Sequence, residues 1–478
     1  MERKDKKKVV FVEPRGSDDN VFSRFLSLPL MGPIYLATIL KKRGHRVRVL
    51  NEHLLRRDVN INDLDADVLC LTGLTQTINR SFEIARMFKL QNPDGKVIIG
   101  GIHVSMLQDE AALFADHVVI GEGEPVIADL VEGRITDKFV RTEHINLDDY
   151  PLPDFTLLEN YQKMYITPMI TSRGCPFDCN FCAVTEMYGK KYRTLSIDNT
   201  MKTLRKLQPK KVFFYDDNFA ALKSRTYEMV KRFKRSGLDF RWTAQVRTDL
   251  TNDPKLVEKM ADAGLYNVYV GFESINPATL KRFNKAQGLE QIKRSIKVFH
   301  DNDINIHGMF IFGSDDDDKH VFRRTSEFCN EHGINSTQFG ILTPLPGTQV
   351  YKEFEQQGRL LHKMWNYYDA LHAVYRPMKM TPLELQEGML DAFNDFYSYS
   401  RAANEALNTF FEYPTTAIKG LYSRVRLPSF TNASLRLMGT HIVKSWVKHN
   451  KDYMEFLGSL ELKKRALSYM AQAKPTQQ

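Results

Sequence analysis

Short apolar runs alternate with amphipathic stretches through the first two thirds of the chain. Up to residue 135, β-branched runs at 9–12, 46–50, 68–71, 96–99 and 117–120 predict strands. Stretches at 33–42, 81–90, 110–114 and 125–130 predict the intervening helices. Continuous apolar strands separated by helices are the pattern of a doubly wound parallel sheet covered on both faces. Ligands of such a sheet bind beyond the carboxyl ends of its strands. Those ends carry Pro14-Arg15-Gly16, Thr72 to Gln76, Gly100-Gly101-Ile102-His103 and Gly121-Glu122-Gly123-Glu124. Glycines there either admit a large flat ligand or simply make tight turns, and both readings stand.

Residues 136–160 read as a linker, in which Pro151 and Pro153 favour an extended crossing. From 161 to 360 the pattern becomes six strand-then-helix units, with strands at 165–171, 211–215, 240–246, 267–271, 305–312 and 337–342. Helices such as 227–235, 254–262 and 289–299 fall between them. Six units predict a partial version of the eight-unit α/β barrel, whose chemistry sits at the carboxyl ends of its strands. Residues 361–478 read as mainly helical, with helices at 382–399, 432–449 and 451–472. There Leu435, Met438, Ile442 and Trp446 recur at helical spacing beside Arg436, Lys444 and Lys448. Packing on the barrel is the default reading of that stripe, and a basic helix lying on a membrane surface the sharper one. The expected fold is thus α/β: a Rossmann-like domain (8–135), a partial (β/α)6 barrel (161–360) and a helical C-terminal region (361–478).

A length of 478 residues gives ample material for such a core. The net charge of +9 is spread widely, without aromatics interleaved in a binding stripe, so nucleic acid is not an expected partner. Five cysteines, three of them clustered, make no disulfide framework. Cys70 and Cys329 read as ordinary buried thiols. A reducing, cytoplasmic location is expected, with peripheral membrane contact as an added expectation, because no secretory leader or spanning segment is visible.

The cluster is Cys175, Cys179 and Cys182, in Thr171-Ser-Arg-Gly-Cys-Pro-Phe-Asp-Cys-Asn-Phe-Cys182. Three soft thiolates at this spacing can close on one face of a cubane iron–sulfur cluster and leave its fourth iron open. A zinc knuckle would want a second cysteine or histidine pair, and the sequence offers none.

This loop closely resembles that of the radical S-adenosylmethionine (SAM) superfamily. The elements Gly100-Gly-Ile-His103, Gly121-Glu-Gly-Glu124 and Pro29-Leu-Met-Gly-Pro-Ile-Tyr-Leu-Ala37 look like the cobalamin-binding domain of its class B members. The resemblance implies a [4Fe-4S] cluster on the three cysteines, SAM chelated to the open iron, and cobalamin in the N-terminal domain. The cobalamin contacts it implies are Arg15, Thr72, Thr75, Gly100, Gly101, His103, Gly121, Glu122 and Gly123. One element departs from the pattern. The Asp-x-His-x-x-Gly that supplies a histidine to cobalt in methionine-synthase-like domains is replaced by Glu13-Pro-Arg-Gly16. His103 and His53 accordingly read as turn or surface residues rather than cobalt ligands.

The same resemblance implies SAM contacts at the strand ends. Phe181 is expected beside the adenine, or as a plug sheltering the cluster. Tyr215-Asp216-Asp217-Asn-Phe219 matches the position that holds the SAM amino group, and either Asp216 or Asp217 can fill it, the other serving as a helix cap. Gln245 and Arg247 share one face of a strand, where Arg247 suits a carboxylate. Glu273 is expected on the ribose hydroxyls or on Arg247. Met309 and Ile311 are placed to pack on adenine. Asp315 to Asp318 read as a solvated loop and helix start.

The function expected is cleavage of SAM to a 5′-deoxyadenosyl radical and cobalamin-dependent methylation of an unactivated carbon. A small hydrophobic substrate (a lipid, hopanoid or tetrapyrrole precursor) and a low-potential electron donor are the expected partners. The alternatives are radical oxidation, cyclisation or rearrangement without methyl transfer, and a catalytically inactive cobalamin or redox-binding protein.

Overall fold

The computed structural model describes residues 6–16, 28–398 and 428–472, with side chains of the last stretch described for 439–463. The first sheet is built from β1 (Lys8–Glu13), β2 (Arg46–Asn51), β3 (Val68–Thr72), β4 (Lys96–Gly100), β5 (His117–Ile120) and β6 (Phe139–Arg141). All its pairings are parallel, in the order β2-β1-β3-β4-β5-β6. β1, β3 and β5 are almost entirely buried, as strands covered by helices on both faces must be. The order reverses at β1, so the crevice beyond Glu13 and Thr72 is where this sheet offers a ligand site.

The segment expected to be a plain linker behaves differently. It contributes β6, extending the sheet past residue 135, and a β-bridge at Leu158 returns it to Val49 of β2. Asp154, read as part of an extended crossing, caps a 3-10 turn by accepting the Thr156 N–H at 3.1 Å.

Next come β7 (Thr167–Met169), β8 (Ser172–Arg173), β9 (Arg193–Thr194), β10 (Lys211–Phe214), β11 (Arg241–Val246), β12 (Leu265–Glu273), β13 (Asn305–Phe312) and β14 (Ser336–Ile341). Six of these form an all-parallel sheet, β14-β13-β12-β11-β10-β7, the open partial barrel expected from six units. β8 and β9 form a separate antiparallel pair. The strand expected over 165–171 is therefore cut short after Met169, because Asp216 takes the Thr171 N–H at 2.9 Å and turns the chain into β8. Along β13, buried residues alternate with half-buried His307, Met309 and Ile311, which line the interior of the barrel.

The helices start where the sequence signals them. Asp253 caps Pro254–Asp262, and Thr381 with Glu384 forms a capping box at Pro382–Phe396, each with proline in the first turn. The C-terminal helices are Pro428–His449 and Lys451–Gln472. Ile442 and Trp446 of the apolar stripe are buried, as packing requires, whereas the side chains of Leu435, Arg436 and Met438 lie outside the described residues. Among the described residues no helix is long and apolar enough to cross a membrane.

Candidate active site

The cysteine loop leaves β8 and ends at the short helix Ala183–Tyr188. Its three thiols are unpaired, with Cys179 buried and Cys175 and Cys182 partly so. The Cys182 N–H donates to the Cys179 carbonyl at 3.0 Å, tightening the end of the loop. Burial pushes the Cys182 thiol up to about 12 and raises Cys175 too, so iron binding must displace these protons. Arg247 lies 3.6 Å over the Phe177 ring and directs Nη1 at the Cys179 sulfur, 3.9 Å away. A guanidinium there favours the thiolate. Phe181 packs edge-on against Phe283, with ring centres 5.0 Å apart.

The two aspartates left interchangeable by the sequence are separated by the fold. Asp216 is fully buried and consumed internally: it accepts from the Thr171 N–H, from the Thr171 hydroxyl at 3.1 Å, and from the Ser172 hydroxyl. Asp217 accepts the Gly174 N–H at 3.0 Å and faces a cavity, its carboxyl raised by burial to about 6. Only Asp217 of the pair faces this cavity.

Glu273 pairs with Lys285 at 2.6 Å rather than with Arg247, and both side chains are nearly buried. A register shift between Gly271 and Glu273 and a φ of +61° at Glu273 bend the carboxylate back along its own strand. A Cβ on Gly271 would stand 2.5 Å from that carboxylate and 3.0 Å from Lys285 Nζ, so any larger residue there must push the ion pair aside. Gln245 and Met309 are half-buried within the barrel. The aspartate run is not simply solvated: Asp317 is buried, taking the Thr279 hydroxyl at 2.6 Å and the Gly313 and Ser314 N–H groups. Asp315 pairs with Arg359 and Asp316 with Arg282. Folding draws these carboxylates onto cations from distant segments.

Two cavities share a wall at Tyr215, and the first of them borders this loop. The first, about 370 Å³, lies between the carboxyl ends of the first sheet and the cysteine-loop helix. Thr72, Gly100, Gly101, Gly121, Glu122 and Gly123 line one side, and Val184, Met187, Tyr188 and Asp217 the other. Gly101 has φ +112°, and a Cβ there would meet the Gly73 backbone at 2.9 Å, so this glycine serves the turn. Arg15, Thr75 and His103 stand outside the cavity. Arg15 pairs with Asp58 at 2.7 Å, and the Thr75 hydroxyl lies 3.3 Å from His103 Nδ1. His103 is neither a turn-tip nor a surface residue. It is 1% exposed, edge-on to Trp365, with Glu110 3.6 Å from its Nε2.

The second cavity, about 580 Å³, lies between the carboxyl ends of the first sheet at Glu13 and Thr72, the barrel strands at Tyr269 and His307, and the C-terminal helices at Phe393 and Ile442. Tyr269 and His307 meet at its wall with their rings tilted by 42° and 4.5 Å between centres, while Leu28, Leu371, Phe393 and Ile442 supply apolar surface. Burial raises Glu13 to about 7 and lowers His307 to about 4. Leu30, Thr72, Leu74 and Tyr215 line both cavities. Glu13 and Tyr215 stood at the edge of recognised segments without a role of their own, and Lys285 carried no motif; strand alternation was the available signal for Tyr269 and His307.

Comparison with known proteins agrees with this geometry. Residues 169–329 match the Radical SAM superfamily and residues 22–131 the B12 binding domain. The chain is 31% identical to bacteriochlorophyllide d C-12(1)-methyltransferase of Chlorobaculum tepidum, over 84% of this chain and 89% of that one. It is 25% identical to hopanoid C-3 methylase of Methylococcus capsulatus, over 73% of each. Its fold is similar to that of the cobalamin-dependent SAM radical enzyme OxsB with aqua-cobalamin and SAM bound, at a TM-score of 0.66 and 14% identity, covering 97% of this chain and 81% of that one.

Fold and thiol loop together define a radical SAM enzyme with a B12-binding domain. The chain belongs to the class B, cobalamin-binding radical SAM family, and its kinship is with C-methyltransferases. Its cofactors are a [4Fe-4S] cluster, SAM and cobalamin. The residues present fit them. Three soft thiols on one loop suit three irons. Among the described residues no three histidine, cysteine or acidic side chains are grouped as ligands of a single metal ion. Gly100, Gly101, Gly121 and Gly123, beyond the carboxyl ends of β4 and β5, give the first cavity the open backbone that a large flat ligand would need.

Proposed function

We propose that this enzyme methylates an unactivated carbon of a small, mostly apolar molecule, of the lipid, hopanoid or tetrapyrrole class, held in the second cavity. The observation that carries this reading is the wall of Leu30, Thr72, Leu74 and Tyr215 common to both cavities. A methyl donor held in the first is thereby adjacent to a carbon held in the second.

In this reading Cys175, Cys179 and Cys182 hold the cluster, and Asp217 accepts the SAM ammonium. Arg247, Gln245, Glu273, Phe181 and Met309 complete the SAM pocket, Arg247 also balancing charge at the cluster. Glycines 100, 101, 121 and 123, with Thr72 and Glu122, floor the cobalamin site. When bound, these cofactors supply a hydrogen-abstracting radical and a methyl carrier. The chain's own task is to orient them and keep water from the radical. A low-potential protein donor is the expected electron source. Relatives at 31% and 25% identity named as methylating enzymes support methyl transfer, whereas relatives at 23% and 24% carry the name of a cyclase.

The test is anaerobic reconstitution with cluster and cobalamin, then incubation with methyl-labelled SAM and lipid and pigment extracts of a deletion strain. Label entering one extract component is expected, and none with Cys179→Ala. Label entering no component, with SAM cleavage intact, would overturn methyl transfer.

A further inference from the structure

His307 and Tyr269 line the second cavity, and the reading above gives neither a task. Both side chains are half-buried, so each keeps surface open to that space. His307 Nδ1 meets the Ser336 hydroxyl of the neighbouring strand β14 at 2.8 Å, which fixes the ring. Among the described residues its Nε2 has no hydrogen-bond partner, nor is it one of the polar atoms sealed from solvent. The Tyr269 hydroxyl is open and unpartnered in the same way. Two other tyrosines of this cavity are already spent: Tyr397 donates to the Thr337 carbonyl at 2.7 Å and Tyr215 to the Leu28 carbonyl at 3.3 Å.

The rings of His307 and Tyr269 adjoin, so one short stretch of wall carries both open groups. Around it Leu28, Leu371, Phe393 and Ile442 are apolar, and among the described residues no lysine or arginine lines the cavity. No fixed cation there favours an anion. Burial lowers His307 to about 4, which leaves a neutral ring with one donor and one acceptor nitrogen at pH 7. Ser336 and His307 can share their hydrogen bond in either direction, so Nε2 is a donor in one tautomer and an acceptor in the other. A ligand hydroxyl serves both cases, and the phenol of Tyr269 likewise donates or accepts. An ether oxygen only accepts.

We propose that His307 Nε2 and the Tyr269 hydroxyl together bind a hydroxyl group of an otherwise apolar substrate, and so select which molecules the second cavity accepts. This rests on the reading of that cavity as the substrate site. His307 precedes Met309 by two positions on one face of β13, so the anchor stands about 7 Å along the strand from Met309 of the proposed SAM pocket.

The test uses the reconstituted holoenzyme and three probes on one carbon skeleton: farnesol, its methyl ether and farnesoic acid, measured by equilibrium dialysis at neutral pH. Farnesol is expected to bind about tenfold or more tightly than the ether, and more tightly than the acid, which finds no cation. Tyr269→Phe removes one oxygen and His307→Phe the ring nitrogens. Each should cut the preference for alcohol over ether about threefold or more, and the double variant should abolish it. Equal binding of alcohol and ether by the wild type, tighter binding of the acid, a preference unchanged in either single variant, or no binding of any probe would each overturn the proposal. The wild-type comparison decides even if a variant does not fold. In the extract experiment, label entering a component without a hydroxyl group would overturn the anchor and leave methyl transfer standing. An alcohol preference without label transfer would do the reverse.

Discussion

Arg173 donates from Nη1 to Glu122 Oε1 at 2.7 Å, and both side chains are almost entirely buried. Arg173 sits on β8, directly before the cysteine loop, while Glu122 follows β5 in the first sheet. Nη2 of Arg173 reaches Glu124 at 2.5 Å, and Arg193 of β9 adds a second contact to Glu122 at 2.7 Å. The floor of the first cavity and the entrance to the cysteine loop are thus clasped by one charge network.

Glu122→Gln leaves two buried guanidinium groups short of a counter-charge. Breaking a buried pair in this way costs about 3 kcal/mol. A lower Tm and poorer corrinoid retention are expected, read by thermal unfolding and by cobalamin absorbance after desalting. An unchanged Tm would show that the clasp contributes nothing.

Asp217→Asn and Asp216→Asn should fail differently. The first removes a cavity-facing acceptor, so KM for SAM should rise about tenfold or more with little loss of stability. The second breaks an internal clasp and should destabilise the fold by about 2 kcal/mol. Urea unfolding and SAM titrations separate the two; a SAM defect confined to Asp216→Asn would reverse the assignment.

Lys285→Met strands Glu273 without its cation. A loss of about 3 kcal/mol is expected, with partial recovery in the double variant carrying Glu273→Gln. Equal stability of the two variants would mean the pair is not coupled.

Glu13 gives stability a pH dependence of definite sign. Burial raises its carboxyl from 4.5 to about 7, so the folded state binds a proton that the unfolded chain releases. The associated stability is full below about pH 4.5 and is lost as pH rises through about 7, a change of about 3 kcal/mol. Glu13→Gln removes this dependence, so its stability relative to wild type should climb between pH 5 and 8. Parallel curves from urea unfolding would count against it.

Much of the fold was legible because its signals are local. Apolar runs marked the strands, and Asp253-Pro254 and Thr381-Pro382 marked helix starts. The three cysteines lie within eight residues, so their common purpose needed no tertiary information. β6 was missed because Phe139–Arg141 is short, with only Val140 buried. Lys285 was missed because it sits in an unpatterned turn and meets Glu273 only through the bulge in β12.

The sequence by itself determined the class of chemistry: thiol spacing, strand–helix alternation and glycine-marked strand ends are properties of neighbouring residues. Only the tertiary structure decided what each polar side chain does. Asp216 and Asp217 are adjacent carboxylates, but one is spent on Thr171 and Ser172 while the other faces a cavity. His103 is buried edge-on against Trp365, and Asp369 gives one oxygen to His372 while the other has no side-chain or backbone donor. Burial and partnering depend on segments far apart in the chain, and those contacts exist only once the two sheets and the C-terminal helices have packed together.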